Sequence, residues 1–170
     1  MRFALLLTLL LCVLVFCGCQ QQQMPVSAET ILQPDKGGDF RGIHIGDAPR
    51  SIKREEEASS VYSMPDELIY RFNAQEVDST WYEISYNFNQ DGLNHISLDV
   101  FPTGLELKEH LYSDFVTYYN QRYGECKTFA DRAEWRGLTM QGKFISVTLI
   151  KERALSDRQH LRLVFNETNQ

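Results

Sequence analysis

Past residue 19 the chain carries a single cysteine, Cys126; the other three, Cys12, Cys17 and Cys19, crowd into the N-terminus. A disulfide framework is therefore excluded, and a Cys-x-Cys metal pair has no second ligand pair to join. Positive charge is also short, with 17 Lys and Arg against 23 Asp and Glu and a formal charge of −6. Binding a phosphate backbone needs clustered cations, so nucleic acid is excluded as a partner. No apolar run reaches the roughly 20 residues that cross a bilayer as a helix; the longest apolar stretch, Phe3 to Phe16, has 14 residues with Thr8 among them. The four histidines, His44, His95, His110 and His160, show no His-x-His or His-x-x-x-His spacing, so no metal is expected and no cofactor motif is present. What remains is a chain of 170 residues, 43% apolar, enough for one domain with its own core.

The N-terminal run follows one basic residue, Arg2, and ends in the polar Gln20–Gln23. That is the layout of a secretory signal rather than a spanning helix. Its last residues, "FCGC", put apolar Phe16 at −3, small Cys17 and Gly18 before the cut, and Cys19 at +1. This resembles the lipobox of bacterial lipoproteins. The resemblance implies residues 1–18 as a removed signal peptide and Cys19 as the lipidation site, carrying palmitate-type acyl chains. Several chains, at about 0.8 kcal/mol per buried methylene, hold a protein on a membrane durably where one does not. In that family, Gln20 at +2 implies sorting to the cell outer membrane, facing the periplasm. Residues 19–39, with Pro25, Pro34 and Gly37-Gly38, read as a flexible tether whose ends lie about 25 Å apart.

A single domain is expected over 40–167. Asp47 and Pro49 predict a helix start, with a short helix from about Ala48 to Ala58. "LIYRF", "WYEISYNFN" and "LNHISLDVF" alternate apolar with polar residues, and "NQDG" joins the last two as a hairpin. Thr103 and Glu106 have capping-box spacing ahead of a helix over Leu105 to Tyr123 that Gly124 closes. Its aromatic stripe, with Phe115, Tyr118 and Tyr119, reads as core. Strands are expected around Glu134 to Met140, Phe144 to Lys151 and Leu161 to Asn166. The fold class is α+β: an antiparallel sheet with helices on one face, in an α-β-β-β order that occurs twice and suggests a tandem repeat.

The period of two leaves Glu83, Ser85, Asn87, Asn89, His95, Ser97 and Asp99 on the uncovered side of the sheet. That side is the candidate partner-contact face, with solvation alone as the competing reading. Trp81, Tyr82 and Trp135 are the aromatic candidates for a small-ligand or glycan site. Cys126 is the sole candidate nucleophile, for a hydrolase. It directly follows a helix end, whose carbonyl oxygens oppose the thiolate a nucleophile needs, so it reads as structural.

"IHIGDAPRSI" and "ISYNFNQDGLNHI" carry Ile43, Gly46 and Ile52, then Tyr86, Phe88, Asn89, Gly92 and Ile96. This pattern resembles BamE-like and β-lactamase-inhibitor-like envelope lipoprotein domains over about 60 residues. The resemblance implies a non-enzymatic scaffold that binds protein partners and holds no catalytic site. The expected function is a lipid-anchored envelope protein working by protein–protein contact, in envelope assembly or as an inhibitor. The alternative is a periplasmic ligand or glycan module. The attachment is tested by labelling: Cys19→Ser is expected to abolish palmitate incorporation, and normal labelling of that variant would exclude Cys19 as the site.

Overall fold

In the computed structural model, residues 26–56, 60–74, 79–153 and 158–168 are described. The expected signal peptide, Cys19 and the first residues of the expected tether lie outside them. The elements are α1 (Ala28–Leu32), a 3-10 turn (Pro34–Lys36), α2 (Pro49–Glu55), β1 (Tyr62–Ser63), β2 (Glu67–Asn73), β3 (Trp81–Asn89) and β4 (Gly92–Phe101). There follow α3 (Leu105–Tyr123), β5 (Lys127–Thr128), β6 (Arg132–Leu138), β7 (Phe144–Glu152) and β8 (His160–Glu167). The strands form one antiparallel sheet in the order β1-β2-β3-β4-β8-β7-β6-β5. The fold is α+β.

Alternation places one side chain of each strand pair under the helices and the next in the open. Tyr82, Ile84 and Tyr86 of β3 and Ile96, Leu98 and Val100 of β4 are buried, as are Ile145, Val147 and Leu149 of β7 and Leu161, Leu163 and Phe165 of β8. Each such aliphatic side chain stabilises by roughly 1.5–3 kcal/mol relative to exposure. On α3 the buried positions are Lys108, Leu111, Phe115 and Tyr119, a helical stripe facing the sheet. Tyr119, not its neighbour Tyr118, reaches the core, packing on Trp135 and Phe165 with centroids 5.6 and 5.8 Å away.

The two halves share one topology, α2-β1-β2-β3-β4 and α3-β5-β6-β7-β8. The step from Tyr62 to Lys127 and from Glu67 to Arg132 is 65 residues in each case, and it carries Pro49–Glu55 onto residues 114–120, inside α3. β2 and β6 also bury the same two places, Leu68 and Tyr70 in one, Ala133 and Trp135 in the other. The expected three strands per half thus become four. The extra ones, β1 and β5, have two residues each and are too short to carry a readable alternation.

The N-terminal segment differs from its reading as a tether. Val26, Ala28, Ile31 and Leu32 are buried, and Ser27 caps α1 by accepting from the Thr30 amide at 3.3 Å. Residues 26–39 are therefore packed onto the domain expected to start near Phe40. The polar composition hides an i, i+3, i+4 apolar set, Ala28-Ile31-Leu32. Two helix starts also differ. Asp47 accepts from the His44 amide at 2.8 Å, leaving Ala48 as the N-cap of α2. Thr103 pairs its hydroxyl with Thr80 at 2.8 Å, and Gly104 is the N-cap of α3, with no side-chain cap.

This segment brings a buried charge into the first half. The Arg41 guanidinium grips Glu56 with two bonds, Nη2 to Oε2 at 2.9 Å and Nε to Oε1 at 3.2 Å. It also donates to the Ile31 carbonyl at 2.6 Å, and the Tyr86 hydroxyl donates to Glu56. Phe72 and Tyr82 lie against the guanidinium at 5.0 and 5.8 Å. Burial, the largest influence on Tyr86, pushes its hydroxyl well above the usual phenol range, and the Glu56 charge adds to it. Removing one member leaves the other charge buried and unpaired. Glu56→Gln is expected to cost about 3–5 kcal/mol, read as a lower midpoint in urea unfolding. Replacing both, as Arg41→Met with Glu56→Leu, is expected to recover most of that loss.

Candidate functional site

The uncovered face of the sheet is ordered by its register. Ile69, Ser85, Ser97, Val164 and Thr148 stand opposite one another across β2, β3, β4, β8 and β7. This row of mostly small side chains is flanked on one side by Arg71, Glu83, Asp99, Arg162 and Ile150, and on the other by Glu67, Asn87, His95, Asn166 and Ser146. Six of the seven face residues expected from the sequence are therefore true neighbours: Glu83 opposes Asp99, Ser85 opposes Ser97, and Asn87 opposes His95, while Asn89 opposes Gly92 at the hairpin end. The structure adds a second half of the face, from β7 and β8, and β8 side chains supply partners to Asp99 and His95 of β4.

Asp99 is the centre of that completion. Its Oδ1 accepts from His160 Nε2 at 2.6 Å and Arg162 Nε at 2.7 Å, and its Oδ2 accepts from the Ser97 hydroxyl at 3.2 Å. Burial by itself would raise the Asp99 carboxyl, but the bonds from His160 and Arg162 and their charges outweigh it and hold it below the usual carboxylate range. Asp99 is therefore an acceptor only, and His160 Nε2 carries the proton between them. Glu83 is held in turn by Arg71 Nη2 at 2.7 Å, and His95 Nδ1 lies 2.7 Å from Asn166 Oδ1.

An aromatic run borders the charged row. Trp81 and Phe101 stack at 4.0 Å, Phe101 and His160 at 4.7 Å, and Arg71 covers Trp81 at 4.9 Å. The rings stand like plates in a rack, with their flat faces turned to one another and their edges outward. A sugar binds on the open flat face of an aromatic ring, and Trp81 has Arg71 near its ring and Phe101 stacked on it. A cleft of about 460 Å³ lies beside this run, lined in part by Asn73, Trp81, Phe101 and Arg158. The other two aromatic candidates are elsewhere: Tyr82 and Trp135, the latter 2% exposed, belong to the helix-covered core. Trp135 Nε1 donates to Asn120 at 2.9 Å.

The remaining candidates are not brought together. Cys126 sits half-buried at the end of α3, its amide bonded to Asn120 Oδ1 at 3.1 Å and its sulfur 3.5 Å from the Thr128 hydroxyl. His110 pairs with Asp114 on the outer side of α3 at 3.5 Å. His44 Nδ1 lies 3.6 Å from Asp39 Oδ2, too far for a hydrogen bond. Ser97 and His160 share a carboxylate, yet the serine gives its proton to Asp99 and not to the imidazole. That is a bracing network, not a nucleophile with its base. Among the described residues no group of three or more His, Cys, Asp or Glu side chains is placed to hold a metal ion, and no helix is long and apolar enough to cross a membrane.

Phe101, His160, Arg162 and Asn166 were not among the sequence candidates. The alternation of "HLRLVFNE" assigns His160, Arg162 and Asn166 to one side of β8. What it does not carry is the pairing of β8 with β4, which lies across α3 and three strands in the chain. No protein-family model matches the chain, and no curated protein or solved structure is significantly similar to it.

Because the Asp99 carboxyl is depressed in the folded chain, its bonds stabilise above the unfolded value, about 3.9, and that contribution is lost as pH falls through the lower folded value. Asp99→Asn is therefore expected to melt below the parent at pH 6, with the gap closing progressively below about pH 4. Thermal melts over pH 2–7 check this, and a gap independent of pH would contradict the assignment.

Proposed function

We propose that this chain is a lipid-anchored protein of the cell envelope, held at the outer membrane on its periplasmic side. It acts without catalysis, through protein–protein contacts on the open face of its sheet, in envelope assembly or as an inhibitor of an exported enzyme. The observation that carries the reading is the finish of that face. Five neighbouring strands present side chains in register, with polar groups braced against one another and small residues along the middle row. A face of this kind is rigid before contact, so little ordering is lost when a partner docks. The candidate nucleophile, Cys126, lies away from it, at the foot of α3.

The position of Ser97 at the centre of the face supplies the test. A photo-crosslinking residue at Ser97 is expected to form a discrete adduct in intact envelopes, and the same residue at the exposed Ser113 of α3 is not. Ser85→Arg should remove the Ser97 adduct by filling the small-residue row, while leaving the melting temperature within about 2 °C of the parent, as expected of a surface change. Absence of any adduct from Ser97 would overturn the reading.

A further inference from the structure

The turn between β6 and β7 exposes three large apolar side chains together: Leu138 at 54%, Met140 at 72% and Phe144 at 43%. Leu138 and Phe144 face each other across the two strands, so the patch is contiguous and Met140 stands at its tip. The turn is also braced. Thr139 Oγ1 accepts from the amides of Gln141 at 3.2 Å and Lys143 at 3.0 Å, and the Gly142 amide donates to the Thr139 carbonyl at 3.0 Å. Apolar side chains held outward on a rigid turn lose little freedom when they enter an apolar medium. A patch of this kind on a folded domain marks a contact surface.

We propose that this turn dips into a lipid surface, with Leu138, Met140 and Phe144 as the inserted side chains. The inference rests on the lipid-anchor reading of Cys19, and the link between the two is structural. Asp39, 1% exposed, accepts from the Met140 amide at 3.2 Å and from the Ile45 amide at 3.0 Å. Beside it, Arg122 at the end of α3 donates to the Gly38 carbonyl at 2.6 Å. The N-terminal segment is thereby fastened to the backbone of the turn at Met140. From Cys19 to Val26 the chain is seven positions long, at most about 24 Å when fully extended. An acyl anchor on so short a link keeps this end of the domain beside the bilayer. Arg136 on β6 and Lys143 at the turn, the latter 3.1 Å from Glu167, flank the apolar side chains with cations suited to anionic head groups. The other exposed apolar set, Val61, Tyr62 and Met64, lies at the opposite edge of the sheet, on and beside β1, and serves as the control.

The test uses the full chain mixed with vesicles of phosphatidylethanolamine and phosphatidylglycerol carrying brominated acyl chains. Met140→Trp and Met64→Trp each add one indole at an exposed position, read as emission above that of the parent chain. The indole from Met140→Trp is expected to shift to the blue and to be quenched several-fold more than that from Met64→Trp. Adding Leu138→Ser and Phe144→Ser should reduce that quenching at least threefold. Flotation of the chain with the vesicles is read in the same samples. A chain that floats with equal quenching at both sites overturns the insertion and leaves the anchor standing. A chain that is quenched at Met140→Trp on mixing, yet does not stay with floated vesicles, supports the insertion and overturns the anchor. Neither quenching nor flotation overturns both. A blue shift without vesicles that grows with protein concentration marks a second copy on the patch and also overturns the proposal.

Discussion

The pairing of β4 with β8 is the joint on which the molecule is built. Six residue pairs, from His95 with Asn166 to Val100 with Leu161, join two four-stranded halves that are otherwise separate in sequence. Without it each half would expose a long central strand edge, a template for uncontrolled pairing. With it the outer edges are β1 and β5, two residues each, which offer little to another chain. The same pairing brings Leu98 against Leu163 and Ile96 against Phe165 on the covered side, and Asp99 against Arg162 on the open side. One set of hydrogen bonds between strands thus places both the centre of the core and the centre of the face.

The halves are alike in topology but are covered differently, and the difference explains the buried ion pair. In the second half the 19 residues of α3 bring Leu111, Phe115 and Tyr119 over Trp135 and Phe165. In the first half α2 has seven residues and buries only Ile52. The space left over is filled by the N-terminal segment, whose Ile31, Leu32, Ile43 and Ile45 supply apolar surface while Phe40 reaches Phe165 of β8. Arg41 enters with them and could not stay buried alone. Glu56, the Ile31 carbonyl and the Tyr82 hydroxyl answer its charge. The close approach this needs is visible at Gly92, where a side-chain carbon would lie 2.3 Å from the Gly46 carbonyl oxygen. There the Gly46 amide donates to Leu93 at 2.7 Å and ties the segment to the start of β4.

What was legible in the sequence was whatever depends on local periodicity. β3 matches Trp81–Asn89 and α3 matches Leu105–Tyr123 residue for residue, because alternation and the helical stripe extend over whole elements. Glu83, Ser85, Asn87, His95, Ser97 and Asp99 followed as one face from the same alternation. Partners from distant segments were not legible. Nothing local in "FRGI" marks Arg41 as a core residue, since its acceptors come from Ile31, Glu56 and Tyr82. Nothing near Asp99 announces His160 and Arg162, which arrive only through the β4–β8 pairing. The reading of Trp135 as a ligand aromatic failed for a related reason. Tryptophan carries an N–H that must be satisfied when buried, and Asn120, one helix away, satisfies it.

The self-braced character of the open face sets terms for any partner. Glu83, Asp99 and His95 already have Arg71, His160, Arg162 and Asn166 as companions. A partner charge placed over them must compete with bonds in hand and strip water from groups that gain little in exchange, so these pairs contribute orientation and selectivity more than affinity. Affinity must come from apolar surface that has no other use. On this face that means Trp81 and Phe101, then Ile69 and Val164 of the middle row, and Ile150 at the end of the charged row beside it. Aromatic residues carry a large share of the binding energy of protein interfaces, and here they border the charged row at one end of the face. The stack also stiffens them, since each ring is fixed by its neighbours and by Arg71. A polar, pre-paired field beside a rigid aromatic edge therefore favours a partner matched in shape over one matched only in charge.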